Sequence, residues 1–182
     1  MKKIILLLFA LVNIGHAQIK LVLQKTSLQP YVITIDYQKT PKELIAKGKY
    51  DRVDPNLKAL LDSIKERGLP YMDTVKRDVE VTIFQVKCSS GSLCGISFQK
   101  VVDRMKDQGY RPLTFLELLT LSAKYPYISA IALGPTSIWC DEDQVCVLAY
   151  VHTEESKRLI SLERTDAYWS GDGFNFPAIK RK

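Results

Sequence analysis

The chain predicts an α+β fold built as a single domain, with about four short helices in the first two-thirds and an antiparallel sheet dominated by the C-terminal strands. Three observations carry this. Helix start and stop signals crowd the stretch from Thr40 to Pro126, the stretch beyond Pro126 reads as strands separated by turns, and no low-complexity linker divides the two. Helices followed by strands, rather than strict alternation, favour an antiparallel sheet over a doubly wound one.

The elements follow in order. Residues 18–30 form an amphiphilic lead-in, either a strand or a loosely held segment. Tyr31, Ile33, Ile35 and Tyr37 alternate on one face, as in a half-buried strand. Thr40-Pro41-Lys42-Glu43 opens a helix as a capping box with proline at its first position, and Gly48 is expected to close it. Leu57, Leu60, Leu61 and Ile64 make one apolar stripe on a second helix, stopped by Gly68 and Pro70. Val79, Val81 and Ile83 alternate before Phe84 and Val86 take the other phase, so that strand is buried on both faces or bulged near Ile83. A third helix begins near Ser97, with Phe98, Val101, Val102 and Met105 on one face, and ends at Gly109. Thr114-Phe-Leu-Glu117 opens a fourth, which stops before Pro126. Strands are then expected over 128–133, 136–140, 146–151, 158–163 and 174–179.

Residues 1–17 read as a signal peptide. Lys2 and Lys3 are basic, Ile4–Val12 is apolar, and Gly15-His16-Ala17 is a small-x-small cleavage site. The apolar run is about half the ~20 residues of a membrane span, so export to a periplasm or the extracellular space, without stable membrane insertion afterwards, is the expectation. A hydrophobic content of 46% with 25% charged residues excludes general disorder. The net charge of +6 includes the two leader lysines and is scattered among acids, and only Lys180-Arg181-Lys182 clusters. That is too short for a nucleic-acid patch, so no nucleic-acid partner is expected.

The four cysteines repeat one spacing, Cys88-SSGSL-Cys94 and Cys140-DEDQV-Cys146. In an oxidising compartment, with strand-like sequence flanking each polar loop, local disulfides 88–94 and 140–146 across hairpins are expected. A spacing of five residues suits neither a zinc site nor a C-x-x-C redox motif, so no metal and no cofactor is expected.

Gly109-Tyr-Arg-Pro-Leu-Thr-Phe-Leu-Glu-Leu-Leu119, then Lys124-Tyr125-Pro126 and Ala132-Leu133-Gly134, resembles a family of small bacterial proteins of unknown function. Those proteins share a G-x-R-P-A-T-x-x-E-L-L segment, a YP step, an ALG strand near a Trp, and a closing F-L-A-V-R-K, matched here by Phe176-Pro-Ala-Ile-Lys-Arg181. Ile45-Ala-Lys-Gly48-Lys-Tyr50-Asp51 looks like their A-A-G-K-Y-D stretch. The cysteine loops and Leu113 depart from that pattern. Gly109-Tyr-Arg111-Pro112 is also a partial match to the segment that opens a helix in C-type-lectin-like domains. The resemblance implies a fold and no activity.

Chemistry is sparse. His16 leaves with the leader, and His152 ends an apolar strand, where a solvent-facing role is expected. No G-x-S-x-G, H-E-x-x-H or P-loop pattern occurs. Asp141, Glu142, Asp143 and Asp172 leave a carboxylate-dependent hydrolase as the alternative, and the triplet a calcium option, although acids on a hairpin tip usually form a solvated turn. The densest candidate is Tyr168-Trp169-Ser-Gly-Asp172-Gly-Phe174-Asn175-Phe176, where aromatics sit beside Asp172 and Asn175. Tyr168, Trp169, Asp172, Asn175 and Arg111 are therefore the candidate ligand contacts. For Arg111 the alternative is an ion pair bracing the third and fourth helices. The sequence thus reads as an exported, disulfide-stapled binding module without intrinsic catalysis, for a glycan or a peptide, with a structural envelope role as a third option.

Overall fold

The computed structural model describes residues 21–26, 29–67, 76–88, 97–134, 137–140, 145–165 and 174–181. Residues 1–17, Cys94, Asp141–Asp143 and the segment carrying Tyr168, Trp169 and Asp172 lie outside them. The fold is α+β, with strands β1 (Leu21–Lys25), β2 (Tyr31–Ile35), β3 (Arg52–Val53), β4 (Arg77–Cys88), β5 (Tyr110–Pro112), β6 (Ala130–Ile131), β7 (Ile138–Cys140), β8 (Cys146–Glu154), β9 (Lys157–Arg164) and β10 (Phe176–Lys180). The helices are α1 (Pro41–Gly48), α2 (Pro55–Arg67), α3 (Phe98–Asp107) and α4 (Phe115–Lys124).

The strands divide between two sheets. In the first, antiparallel sheet, β4 is central: β10 pairs with it on one side and β5 follows β10. Phe84 faces both Lys25 on β1 and Phe176 on β10, and Val81 faces both Tyr31 on β2 and Ile179 on β10. β1 and β2 therefore share the edge opposite β10, as one interrupted strand. The lead-in is thus part of the sheet. The second sheet runs β3-β9-β8, with β6 and β7 both pairing β8, and β3 joins β9 in parallel.

β4 has no bulge against β10: Ile83 faces Pro177 and Phe84 faces Phe176 in continuous register. Its two phases serve two clusters. Val79, Val81 and Ile83 join Ile33, Ile35 and the α4 leucines, whereas Phe84 and Val86 join Leu23, Val101 and Met105 of α3. A strand covered on both faces loses the period-2 signal where the phases meet.

α4 is the hub. Phe115, Leu116, Leu118, Leu119 and Leu121 are buried around its circumference, as in a helix wrapped on all sides by protein. Both capping boxes form, Thr40 with Glu43 and Thr114 with Glu117. Gly48 does not supply the left-handed residue that ends α1. Lys49 does, with φ 52°. Gly48 is needed because a Cβ there would run into the ring of Tyr50. Gly134 has a similar role, since a Cβ would lie 2.6 Å from the Leu113 carbonyl oxygen. Cys140 and Cys146 face each other across the β7–β8 hairpin and form the expected disulfide. Among the described residues, no helix is long and apolar enough to cross a membrane.

Candidate functional site

The strongest polar construction grows from the start of α4. Thr114 caps the helix, which turns Glu117 inward, and its carboxylate is only 1% exposed. Arg111 of β5 reaches it with both arms: Nη1 donates to Oε2 at 2.8 Å and Nη2 to Oε1 at 2.7 Å. The Tyr37 hydroxyl donates to Oε1 at 2.7 Å and the Thr114 amide to Oε2 at 2.9 Å. Both carboxylate oxygens are thus doubly satisfied, the condition under which a buried charge is tolerated.

The electrostatics follow. Burial pushes the Glu117 carboxyl up, but the bonds and charge of Arg111, with the Thr114 amide and Tyr37 hydroxyl, outweigh it and hold it below its ordinary value. The bond to Glu117 raises Arg111 further. Tyr37 is raised by burial and by its bond to Glu117, against the lowering effect of Arg111 and Arg77. At neutral pH the cluster therefore holds a fixed ion pair and a phenol that donates, with no group poised to exchange protons.

Arg111 also borders a groove of about 1020 Å³. Phe98 and Val102 of α3, Leu133, Ile138 and Ile179 supply apolar wall, and its charged residues are Arg77, Arg111, Lys180 and Arg181 with Asp78 and Glu80. Its described lining contains no His, Cys or Ser. What it offers is shape, apolar area and charge, the ingredients of a binding site.

The other candidates are placed differently. The Asn175 side chain accepts from Gln85 Nε2 at 2.9 Å and donates to the Ser129 carbonyl at 2.7 Å, which ties the start of β10 to β4 and to the entry of β6. Tyr168, Trp169 and Asp172, with Asp141 and Asp143, lie outside the described residues, as does the 88–94 pairing. Phe174 meets Tyr150 edge to face at 5.2 Å, and Tyr150 stacks on His152 at 4.5 Å. His152 Nε2 lies 2.8 Å from the Ser161 hydroxyl, and burial lowers its pKa, which keeps it neutral at pH 7. The described residues contain no cluster of three or more His, Cys, Asp or Glu able to hold a metal.

A second arginine was missed in the sequence. Arg158 of β9 donates to the Gly48 carbonyl, to the Ser122 carbonyl at 2.7 Å and to the Ser122 hydroxyl at 2.6 Å. Its guanidinium lies 4.6 Å from the centroid of the Tyr50 ring, and Tyr50 donates to Ser122 at 3.0 Å. The Gly48-Lys-Tyr50-Asp51 string was the available signal, since Asp51 Oδ2 also accepts from the Arg158 amide. Arg158 carried no local mark because all its partners are distant in sequence.

Comparison with known families, with curated proteins and with solved structures gives no match to this chain.

Proposed function

We propose that the protein is an exported, disulfide-stapled binding module and that its ligand is an extended peptide held in the groove between α3 and the β4–β10–β5 end of the first sheet. The observation that carries this is the groove itself: about 1020 Å³, walled by apolar side chains and edged by ionic ones. That mixture suits a chain with alternating apolar and polar groups. The resemblance to small bacterial proteins of unknown function is part of the same reading and adds no activity. The fixed Arg111–Glu117 pair supports a site that orients a ligand rather than one that transfers protons.

The test is a peptide-binding screen with wild type, Val102→Trp and Gln99→Trp. Val102 is half-buried and Gln99 exposed on α3, and both line the groove, so each indole is directed at it. Either variant is expected to weaken binding by at least about tenfold at unchanged melting temperature. Binding that survives both, yet disappears in Trp169→Ala, would move the site to residues 168–176. One observation favours that second reading, with a glycan as ligand: Phe174 already joins Tyr150 and His152 in an aromatic row.

A further inference from the structure

The end of α4 and the start of β2 meet in a patch of tyrosines apart from the groove, whose described lining contains none of them. Tyr31 opens β2 opposite Val81. Tyr125 follows α4 directly, and its amide donates to the Leu121 carbonyl at 2.8 Å. Its ring meets that of Tyr31 edge to face at 5.0 Å and that of Tyr127 at 6.2 Å. Pro126 starts a turn between them, which the Ile128 amide closes on the Tyr125 carbonyl at 3.1 Å. Ile128 is buried, while Tyr127 is 69% exposed, the most exposed large hydrophobic side chain among the described residues.

The patch is held by the fold. The Tyr125 hydroxyl donates to the Val32 carbonyl at 3.1 Å, and Lys124 donates to the same oxygen at 2.7 Å. The Lys124 ammonium also lies 5.5 Å from the centroid of the Tyr125 ring. Burial raises the Tyr31 phenol, and the Tyr127 and Tyr125 hydroxyls raise it further, so these groups lie within reach of one another. Three features narrow the ligand. Contacting rings inclined at 70° and 72° leave no slot between them for a proline ring. The Val32 carbonyl is already used twice, so a peptide cannot add to β2 through it. Lys124 is already engaged by a carbonyl and a ring, which favours a neutral partner. What is offered is an open aromatic ring beside phenol hydroxyls, which suits a molecule with an apolar face and a polar rim.

We propose that Tyr31, Tyr125 and Tyr127 form a binding site for a neutral, flat, β-linked oligosaccharide. Such a chain carries C–H groups on the faces of its sugar rings and hydroxyls around their rims. Tyr127 stacks on one face, and the neighbouring phenols exchange hydrogen bonds with the rim. The site is separate from the peptide groove and does not depend on it.

Isothermal titration with cellohexaose and with decaproline tests this. Cellohexaose is expected to bind, and Tyr127→Ala to weaken it by about tenfold or more at unchanged melting temperature, since the side chain is exposed. Tyr127→Trp, which keeps an aromatic face, should retain binding. Added salt should leave the affinity unchanged, because the ligand carries no charge. No cellohexaose binding by a protein that is folded by its melting curve, or binding untouched by Tyr127→Ala, overturns the proposal. Cellohexaose binding lost in Val102→Trp and kept in Tyr127→Ala overturns it too, and moves the sugar to the groove. Binding of decaproline alone, lost in Tyr127→Ala, overturns the sugar assignment and makes the patch a docking site for an extended proline-rich peptide.

Discussion

Arg111 and Arg158 sit at opposite ends of α4 and solve the same problem differently. Arg111 meets a carboxylate near the helix N-terminus, where Thr114 caps the chain and turns Glu117 inward. Arg158 meets carbonyl oxygens, that of Gly48 at the end of α1 and that of Ser122 in the last turns of α4, and covers its flat face with Tyr50. Helix C-termini present unpaired carbonyls and a partial negative charge, so a cation is well placed there without a counter-ion. The consequence is a difference in what is at stake. Removing Arg158 leaves neutral acceptors wanting donors, whereas removing Arg111 leaves a full charge in the interior. The difference also separates structure from function: Arg158 has its donors engaged by the fold, while Arg111 is held by the fold and still borders the groove.

The largest effect is therefore expected from Arg111→Met. It strands the Glu117 carboxylate, and truncating one partner of a buried pair costs about 3–5 kcal/mol. The pH dependence gives the sharper reading. In the wild type the Glu117 pKa is depressed, so its contribution is present above the unfolded carboxylate value of about 4.3 and is lost as pH falls through the folded value. Without Arg111, burial is opposed only by the Thr114 amide and the Tyr37 hydroxyl, so the Glu117 pKa rises and the variant gains relative stability as Glu117 protonates. The melting-temperature gap between wild type and Arg111→Met should narrow from pH 7 to pH 4.5. A gap constant across that range would mean that Glu117 is not the charge at issue.

Arg158→Met should cost less, about 1–3 kcal/mol for unsatisfied neutral acceptors. Denaturant titration checks this, and the loss should be the same at pH 5 and pH 7, because its acceptors do not titrate there. If Arg158→Met costs more than Arg111→Met, the contrast between carbonyl and carboxylate anchoring fails.

The smallest effects separate the two capping boxes. Thr114→Ala removes a cap from the helix that carries Glu117, and about 1–2 kcal/mol is expected. Thr40→Ala opens an exposed box on α1, with a loss nearer about 0.5 kcal/mol. Only the first should also weaken peptide binding in the groove, since Thr114 holds Glu117, the partner of Arg111. Equal losses for the two, with binding unaffected, would show that the capping geometry at Thr114 does not reach the groove.

Much of this architecture was legible in advance where partners are close in sequence. Thr40 and Glu43, Thr114 and Glu117, and Cys140 and Cys146 lie within one turn or one hairpin, and each formed as expected. An ion pair bracing the third and fourth helices was one reading of Arg111, and the pair that forms runs from β5 to Glu117 in the first turn of α4. The strand bounds were less accurate. The stretch 128–133 was expected to be a strand throughout, but only Ala130–Ile131 ladders, since β8 gives that edge to both β6 and β7.

Local chemistry alone thus determined the helices, their caps, the position of the β7–β8 staple and the α+β class. These depend on hydrogen bonds and stripes within a few residues of one another. Tertiary structure alone decided that the strands form two sheets, that both phases of β4 are buried, that Asn175 is a tether, and that Arg77, Arg111 and Arg181 line one groove. Each of these requires groups tens of residues apart to share a face. Strand alternation says which face a residue takes, but only pairing and register say whose neighbour it becomes.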